Sequence, residues 1–208
     1  MNRMPIVIVM IVFAFSLHVE GTESGTIGGL QFKDWGTSFT MPAQWQRWPS
    51  EKENAAFSQA LQSLNNVTLE EVLIHIAGWS AAEDACFLIL TIKRERRGSA
   101  LNLSNLMARL EYDDKKALEY GDATNINRLA VDKIGSLSCI VHDVTLRAGG
   151  RALDYNFISG SENFQFLWVF PDGSRFAEFK PAIDGILHTI SIGAKQTSGG
   201  PVSPSNNK

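Results

Sequence analysis

The sequence is poor in the residue types from which reactive sites are most often built. Its 208 residues include only two cysteines and four histidines. No histidine has a second histidine or a cysteine at the i+2 or i+4 spacing that compact zinc sites use. The glycines form no G-x-G-x-x-G or G-x-S-x-G pattern, and the net charge of -3 supplies no basic field for nucleic acid. The sequence therefore predicts no catalytic residues, no metal site and no cofactor.

Long hydrophobic runs are also missing, except at the N-terminus. Residues 6–17 form an apolar run that follows Arg3, and small residues stand at Val19 and Gly21. This run has the length of a signal-peptide core and is too short to span a membrane. Residues 1–21 are therefore predicted to be a signal peptide, with a retained N-terminal anchor as the alternative. Cleavage would leave a secreted or periplasmic protein without a stable membrane span.

Export gives the two cysteines a chemical context. Cys86 and Cys139 both lie in strand-like runs, and an oxidising compartment allows such a pair to form a disulfide. The alternative is a pair of buried free thiols, which pack as small hydrophobic groups. A thiol-enzyme site joining Cys139 to His142 is disfavoured, because residues three apart on a strand point to opposite faces.

Three helices are predicted from caps and apolar periodicity. The first begins at Ser50, which has capping-box spacing with Glu53. The second occupies the stretch 101–121, and its charged residues 111–116 are expected to face solvent. The third begins near Pro181, which suits a first helical turn.

The remaining patterns predict strands. Two short strands are expected around a turn at "DWG", followed by a hairpin of 71–79 with 85–95. The segment 71–79 also carries a weaker helix signal. A meander of three or four antiparallel strands is predicted between the second and third helices. The nearly continuous apolar strands "CFLILTI" and "FQFLWVF" predict an α+β fold, in which helices pack on both faces of one antiparallel sheet.

This order of elements resembles the PsbP-like α/β/α sandwich group of proteins. The group includes the PsbP extrinsic subunit of photosystem II, a Ran-release factor and exported bacterial DcrB-like proteins. The matching stretches lie within residues 36–191 and are "FTMPAQW", "VLIHIAGWSAAEDACFLILTIK", "LSNLMARLEYDDKKALEYG", "VTLRAGGRALDYNFISGSENFQFLWVFP" and "PAIDGILHTISI". Residues 22–193 are predicted to form a single domain. The resemblance implies a fold of this kind and a non-catalytic binding or assembly role. It implies no shared active site.

The stretch "FTMPAQWQRWPS" offers the one candidate contact surface. Trp45 is expected to pack in the core, since Pro42 ends a strand three residues earlier. Trp48 beside Arg47 is expected to be exposed and to contact a partner. The Gly/Pro/Ser-rich residues 194–208 are expected to form a disordered tail.

The sequence therefore predicts an exported, non-enzymatic binding or accessory protein whose partner is another envelope protein. Two alternatives stay open. One is a hydrolase whose catalytic residues meet only in the folded chain. The other is a chaperone for a secreted effector, which the predicted signal peptide disfavours.

Overall fold

A seven-stranded antiparallel sheet forms the centre of the computed structural model, which describes residues 30–63, 72–81, 84–95 and 102–193. The elements in chain order are β1 (Leu30–Asp34), β2 (Thr37–Met41), β3 (Gln46–Arg47), α1 (Ser50–Ser63), β4 (Val72–Ser80), β5 (Phe87–Glu95), α2 (Leu103–Tyr120), β6 (Ala123–Ile134), β7 (Leu137–Leu146), β8 (Arg151–Ser159), β9 (Glu162–Phe170), α3 (Phe176–His188) and β10 (Ser191–Ile192).

The strands of the large sheet follow the order β3-β4-β5-β9-β8-β7-β6, and all neighbours are antiparallel. Strands β1, β2 and β10 form a second, three-stranded sheet. The predicted hairpin of β4 with β5 is confirmed, and β-branched residues on β4 suit this pairing. The α+β class and the antiparallel sheet are therefore as predicted from the sequence.

One face of the large sheet is covered by α3 and the small sheet. Its side chains come from alternate positions of β4, β5 and the meander β6–β9, as the period of two requires. They pack with the inner residues of α3 and with the aromatic residues of β1 and β2 in the largest apolar cluster. That cluster includes Phe39, Met41, Trp45, Trp79, Leu88, Leu90, Phe164, Phe166, Trp168, Ile183 and Leu187.

The opposite face is covered by α1 and α2, each with its own small apolar cluster. Under α1, Trp48 and Ala56 pack on Ile89. Under α2, Ala117 packs near Ala123, Val144, Leu146 and Ala152. Leu167 of β9 contacts both clusters. Helices thus lie on both faces of the sheet, which confirms the predicted α/β/α arrangement.

The start of α1 differs in detail from the predicted capping box. The carbonyl of Pro49 accepts the N–H groups of Lys52 and Glu53. The Glu53 carboxylate accepts hydrogen bonds from Arg47 Nε at 2.5 Å and from the Gly78 N–H at 3.1 Å. The acidic side chain therefore ties the helix to the sheet edge instead of closing a capping box.

The other two helices have well-defined ends. Asn102 Oδ1 accepts the Asn105 N–H at 2.8 Å at the start of α2, and Gly121 ends it in the left-handed conformation with φ 74°. Helix α3 begins before Pro181, because Asp172 Oδ1 accepts the Ser174 N–H and turns the chain early. Pro181 therefore lies inside α3 and not in its first turn. Among the described helices, none is long and apolar enough to cross a membrane.

Candidate functional site

Trp48, the residue expected to contact a partner, is buried. Its side chain is 6% exposed and lies against Gly78, whose missing Cβ leaves room for the indole ring. Its Nε1–H donates to Ser80 Oγ at 2.7 Å, and its backbone N–H donates to the Gly78 carbonyl. The prediction of an exposed indole is therefore wrong, because a glycine 30 residues later on β4 opens a slot for it. Trp45 is in the core, as predicted.

Arg47 remains partly exposed but is held in place. Its guanidinium lies 4.5 Å from the ring centroid of Trp79 and 5.5 Å from that of Phe32, and it forms an ion pair with Glu53. These contacts join the small sheet, the large sheet and α1 at one corner. Arg47 thus has a structural role there, and its role in partner binding stays a prediction.

The two cysteines are separate buried thiols. Cys86 precedes β5 and Cys139 lies on β7, with β9 and β8 between those strands. Two intervening strands separate β5 from β7 by about 14 Å, whereas a disulfide requires Cα atoms within about 7 Å. The structure therefore contains the free-thiol alternative and not the candidate disulfide. Burial raises the pKa of both thiols, to about 11 for Cys139, which disfavours the reactive thiolate.

A buried polar cluster, which the sequence patterns did not predict, lies between α2 and the sheet. His142 of β7 contacts Asp114 of α2, with 2.7 Å between Nε2 and Oδ1. His142 is 3% exposed, and Asp113 and Asp114 are also buried. The expectation that residues 111–116 all face solvent is therefore wrong. Asp113 and Asp114 lie three and four residues after Leu110, on the apolar face of the helix, so the helical period contained this signal.

Asp154 of β8 extends the cluster to the middle of the sheet. It stands directly across from His142 in the β7–β8 pairing. Its Oδ2 accepts hydrogen bonds from Asn156 Nδ2 at 2.7 Å and from Gln165 Nε2 at 2.8 Å. Its Oδ1 is buried and has no hydrogen-bond partner within the described residues. We refer to Asp113, Asp114, His142 and Asp154 as the acidic–histidine cluster.

Burial sets the protonation of this cluster. It raises the pKa of Asp154, against the hydrogen bonds from Gln165 and Asn156 and the charge of His142. It also raises the pKa of Asp113 to about 6, against the attraction of Arg109. For His142, burial by itself lowers the pKa, but the hydrogen bond and charge of Asp114, with the charges of Asp154 and Asp143, raise it overall. The folded chain therefore favours the protonated forms of Asp113, Asp154 and His142.

The cluster holds acid and base groups but is closed to solvent. A histidine beside carboxylates resembles part of a hydrolytic site. The Cys139 thiol does not reach this histidine, because its side chain points to the other face of the sheet, toward α3. The spacing of Cys139 and His142 predicted this. Within the described ranges, no group of three or more His, Cys, Asp and Glu residues could hold a metal ion. The contacts therefore support a role in fixing α2 on the sheet.

The exposed apolar side chains lie elsewhere, at one edge of the large sheet. Among described residues, the exposed large hydrophobic side chains are Tyr112, Leu118 and Tyr120 on α2 and Val131 on β6. Strand β6 pairs with β7 on one side, and no other described strand pairs with its outer side. Its pairing is irregular near Ala123 and between Ile126 and Arg128, but regular from there to Ile134. A long, regular edge with exposed apolar residues is the kind of surface to which another chain adds.

Comparisons with known proteins show similarity in structure. No protein-family model matches the sequence, and no curated protein sequence matches it. The solution structure of cyanobacterial PsbP (CyanoP) from Synechocystis sp. PCC 6803 is similar with a TM-score of 0.53 at 11% identity, over 84% of this chain and 98% of that one. A crystal structure from Bacteroides thetaiotaomicron VPI-5482 gives a TM-score of 0.45 at 12% identity, over 85% of this chain and 52% of that one. The likeness to CyanoP and the arrangement of the elements show that the chain has a PsbP-like fold, as its sequence predicted.

Proposed function

We propose that this chain is an exported, non-catalytic accessory protein that binds another protein of the cell envelope. Export is supported by the signal-peptide pattern of residues 1–21. A binding role is supported by the PsbP-like fold and by the enclosure of the acidic–histidine cluster, whose groups are shielded from any substrate.

The observation that carries the proposal is the free edge of β6. Val131 is 56% exposed in the middle of the regular part of this strand. The outer side of β6, with which no other described strand pairs, offers backbone hydrogen-bonding groups. An extended segment of a partner can satisfy them while its side chains cover Val131. The proposed contact surface is therefore the outer edge of β6.

A capture experiment with matched variants tests the proposal. Residues 22–208 are immobilised, incubated with envelope extract and mildly crosslinked, and the captured proteins are identified. Val131→Lys places a charge on the edge, and Tyr120→Lys is the control, since Tyr120 is also 56% exposed but lies on α2. We expect Val131→Lys to reduce recovery of a specific protein by about 10-fold or more, with little loss for Tyr120→Lys. Equal recovery by both variants and the unmodified chain would contradict this use of the edge.

Export itself needs a separate measurement. Fractionation of cells that produce the full-length chain is expected to find a shortened protein in the periplasm or medium. Full-length protein in the cytosol would support the chaperone alternative.

The hydrolase alternative is favoured by one observation, the meeting of His142 with Asp114 and Asp154. If it holds, esterase, peptidase or glycosidase substrates should be turned over, and His142→Gln should abolish the turnover. The accessory role instead predicts no turnover in any of these assays. Activity that His142→Gln removes would replace the first proposal.

A further inference from the structure

The free edge of β6 has a sequence that is complementary to itself. A second copy of the chain can add to this edge only in antiparallel fashion if the two copies are related by a two-fold axis. Such an axis runs perpendicular to the sheet and keeps the two faces of both copies aligned. Residues that lie opposite each other across the axis must therefore come from the same face. One residue of β6 then lies on the axis opposite its own copy, and the other pairs are those equidistant from it in the sequence.

In one register, opposite charges face each other and apolar side chains face each other across the axis. With Ala130 on the axis, Arg128 of each copy lies opposite Asp132 of the other, on the face where β6 pairs Asp132 with Cys139. On the opposite face, Leu129 of each copy lies opposite Val131 of the other. Two ion pairs and two apolar pairs then flank the axis, and each is a favourable cross-strand pair.

The neighbouring registers are less favourable. Placing Val131 on the axis sets Leu129 against Lys133 and Ala130 against Asp132. Placing Asp132 on the axis sets two like charges directly against each other, which destabilises a strand pair. Of these registers, only the one with Ala130 on the axis pairs opposite charges and apolar side chains together.

The side chains involved are free to make these contacts. Arg128 and Asp132 form an ion pair with each other at 2.8 Å within one chain, and their side chains are 50% and 40% exposed. An exposed pair of this kind contributes little to stability. Exchanging the one such pair in each of the two copies for two pairs between the copies therefore costs little.

We propose that the β6 strands of two copies pair in this register, and that this pairing occupies the edge until an envelope partner binds there. This inference rests on the proposed function for its second half only, since self-pairing can occur without any partner. Five paired residues on each strand form a small interface, so the dimer belongs to the weak class of assemblies. A partner that binds the edge more strongly can therefore displace the second copy.

Charge exchange tests the register. Sedimentation equilibrium of residues 22–208 up to about 0.5 mM should show a concentration-dependent dimer for the unmodified chain. Arg128→Asp or Asp132→Arg alone should weaken dimerisation by about 10-fold or more, since each sets like charges across the axis. The double variant Arg128→Asp/Asp132→Arg should restore it, and so should an equimolar mixture of the two single variants. Glu51→Arg, an exposed charge reversal on α1, is the control and should dimerise normally.

Each outcome decides a different claim. A chain that stays monomeric up to that concentration, or a double variant that fails to dimerise, would overturn the self-pairing. The regulatory half predicts that Arg128→Asp captures more envelope partner than the unmodified chain, because its edge is open. Equal or lower capture by this variant would overturn the regulation. If dimerisation behaves as expected but no partner is captured, the proposed function fails and the self-pairing stands.

Discussion

Replacing Asp113 by asparagine should stabilise the protein, and more so at alkaline pH. The Asp113 side chain is 8% exposed on the inner side of α2, and its pKa is raised from 3.8 to about 6. A carboxyl group with a raised pKa binds its proton more tightly in the folded chain than in the unfolded one. Its contribution is therefore complete below its unfolded pKa and is lost as the pH rises through about 6. Asparagine has nearly the same shape and carries no charge at any pH.

The magnitude follows from the shift. A difference of about two pKa units corresponds to about 3 kcal/mol. Arg109 attracts the carboxylate and offsets part of this cost, so we expect a gain of about 1 to 2 kcal/mol for Asp113→Asn at pH about 8. At pH about 4.5, where the folded carboxyl is mostly protonated, the gain should be much smaller.

The assay is urea unfolding followed by tryptophan fluorescence at both pH values. Glu111→Gln, an exposed acid on the same helix, is the control and should change the free energy of unfolding by less than about 0.5 kcal/mol at either pH. The argument from burial is refuted if Asp113→Asn is no more stable than the unmodified chain at alkaline pH, or if its gain is equal at both pH values.

Two further substitutions and one thiol-labelling experiment test other contacts. Gly78→Ala would place a Cβ 2.1 Å from the nearest ring carbon of Trp48. We expect it to lower the free energy of unfolding by about 3 kcal/mol. Unchanged stability in urea would contradict the packing of the indole against Gly78. Asn102→Ala removes the cap of α2 and should cost about 1 kcal/mol in the same assay, whereas no loss would show that another group satisfies the helix end. In denatured protein purified without reductant, Cys86 and Cys139 should both react with a thiol reagent. If neither cysteine reacts, the protein contains the disulfide instead.

The acidic–histidine cluster adds a dependence of stability on pH for the whole chain. The raised pKa of His142 means that its contribution is present below about 6.5 and is lost as the pH rises above that value. Asp113 acts in the same direction at lower pH. Stability should therefore fall from about pH 5 to pH 8. His142→Gln should flatten the upper part of this curve, and an unchanged curve would show that His142 does not titrate there.

Much of the fold follows from local patterns in the sequence. The β4–β5 hairpin was predicted by β-branched residues and by the polar turn before Cys86. The caps at Asn102 and Gly121 bound the helix that the apolar periodicity predicted. Local chemistry decides these features, so they can be recognised without knowing the tertiary structure.

The features that the sequence patterns did not predict depend on residues far apart in the chain. Trp48 is buried because Gly78 lies opposite it, and nothing beside Trp48 indicates that glycine. The helical period places Asp114 on the apolar face of α2, but its partner His142 lies 28 residues later in the chain. The free edge of β6 depends on the order of all seven strands, which follows from long-range pairing rather than from periodicity. Such long-range pairings are the part that single-sequence patterns cannot supply.

The order of strands also determines when the sheet can be completed. The β4–β5 hairpin and the β6–β9 meander are each built from neighbours in sequence. Among the described strands, the β5–β9 ladder is the one that joins them. This ladder pairs Phe87 with Val169, so nearly the whole domain must be synthesised before the ladder can form. Until then β5 presents the apolar residues Leu88, Leu90 and Ile92 along an open side. Truncation before β9 should therefore produce chains that aggregate instead of smaller folded units.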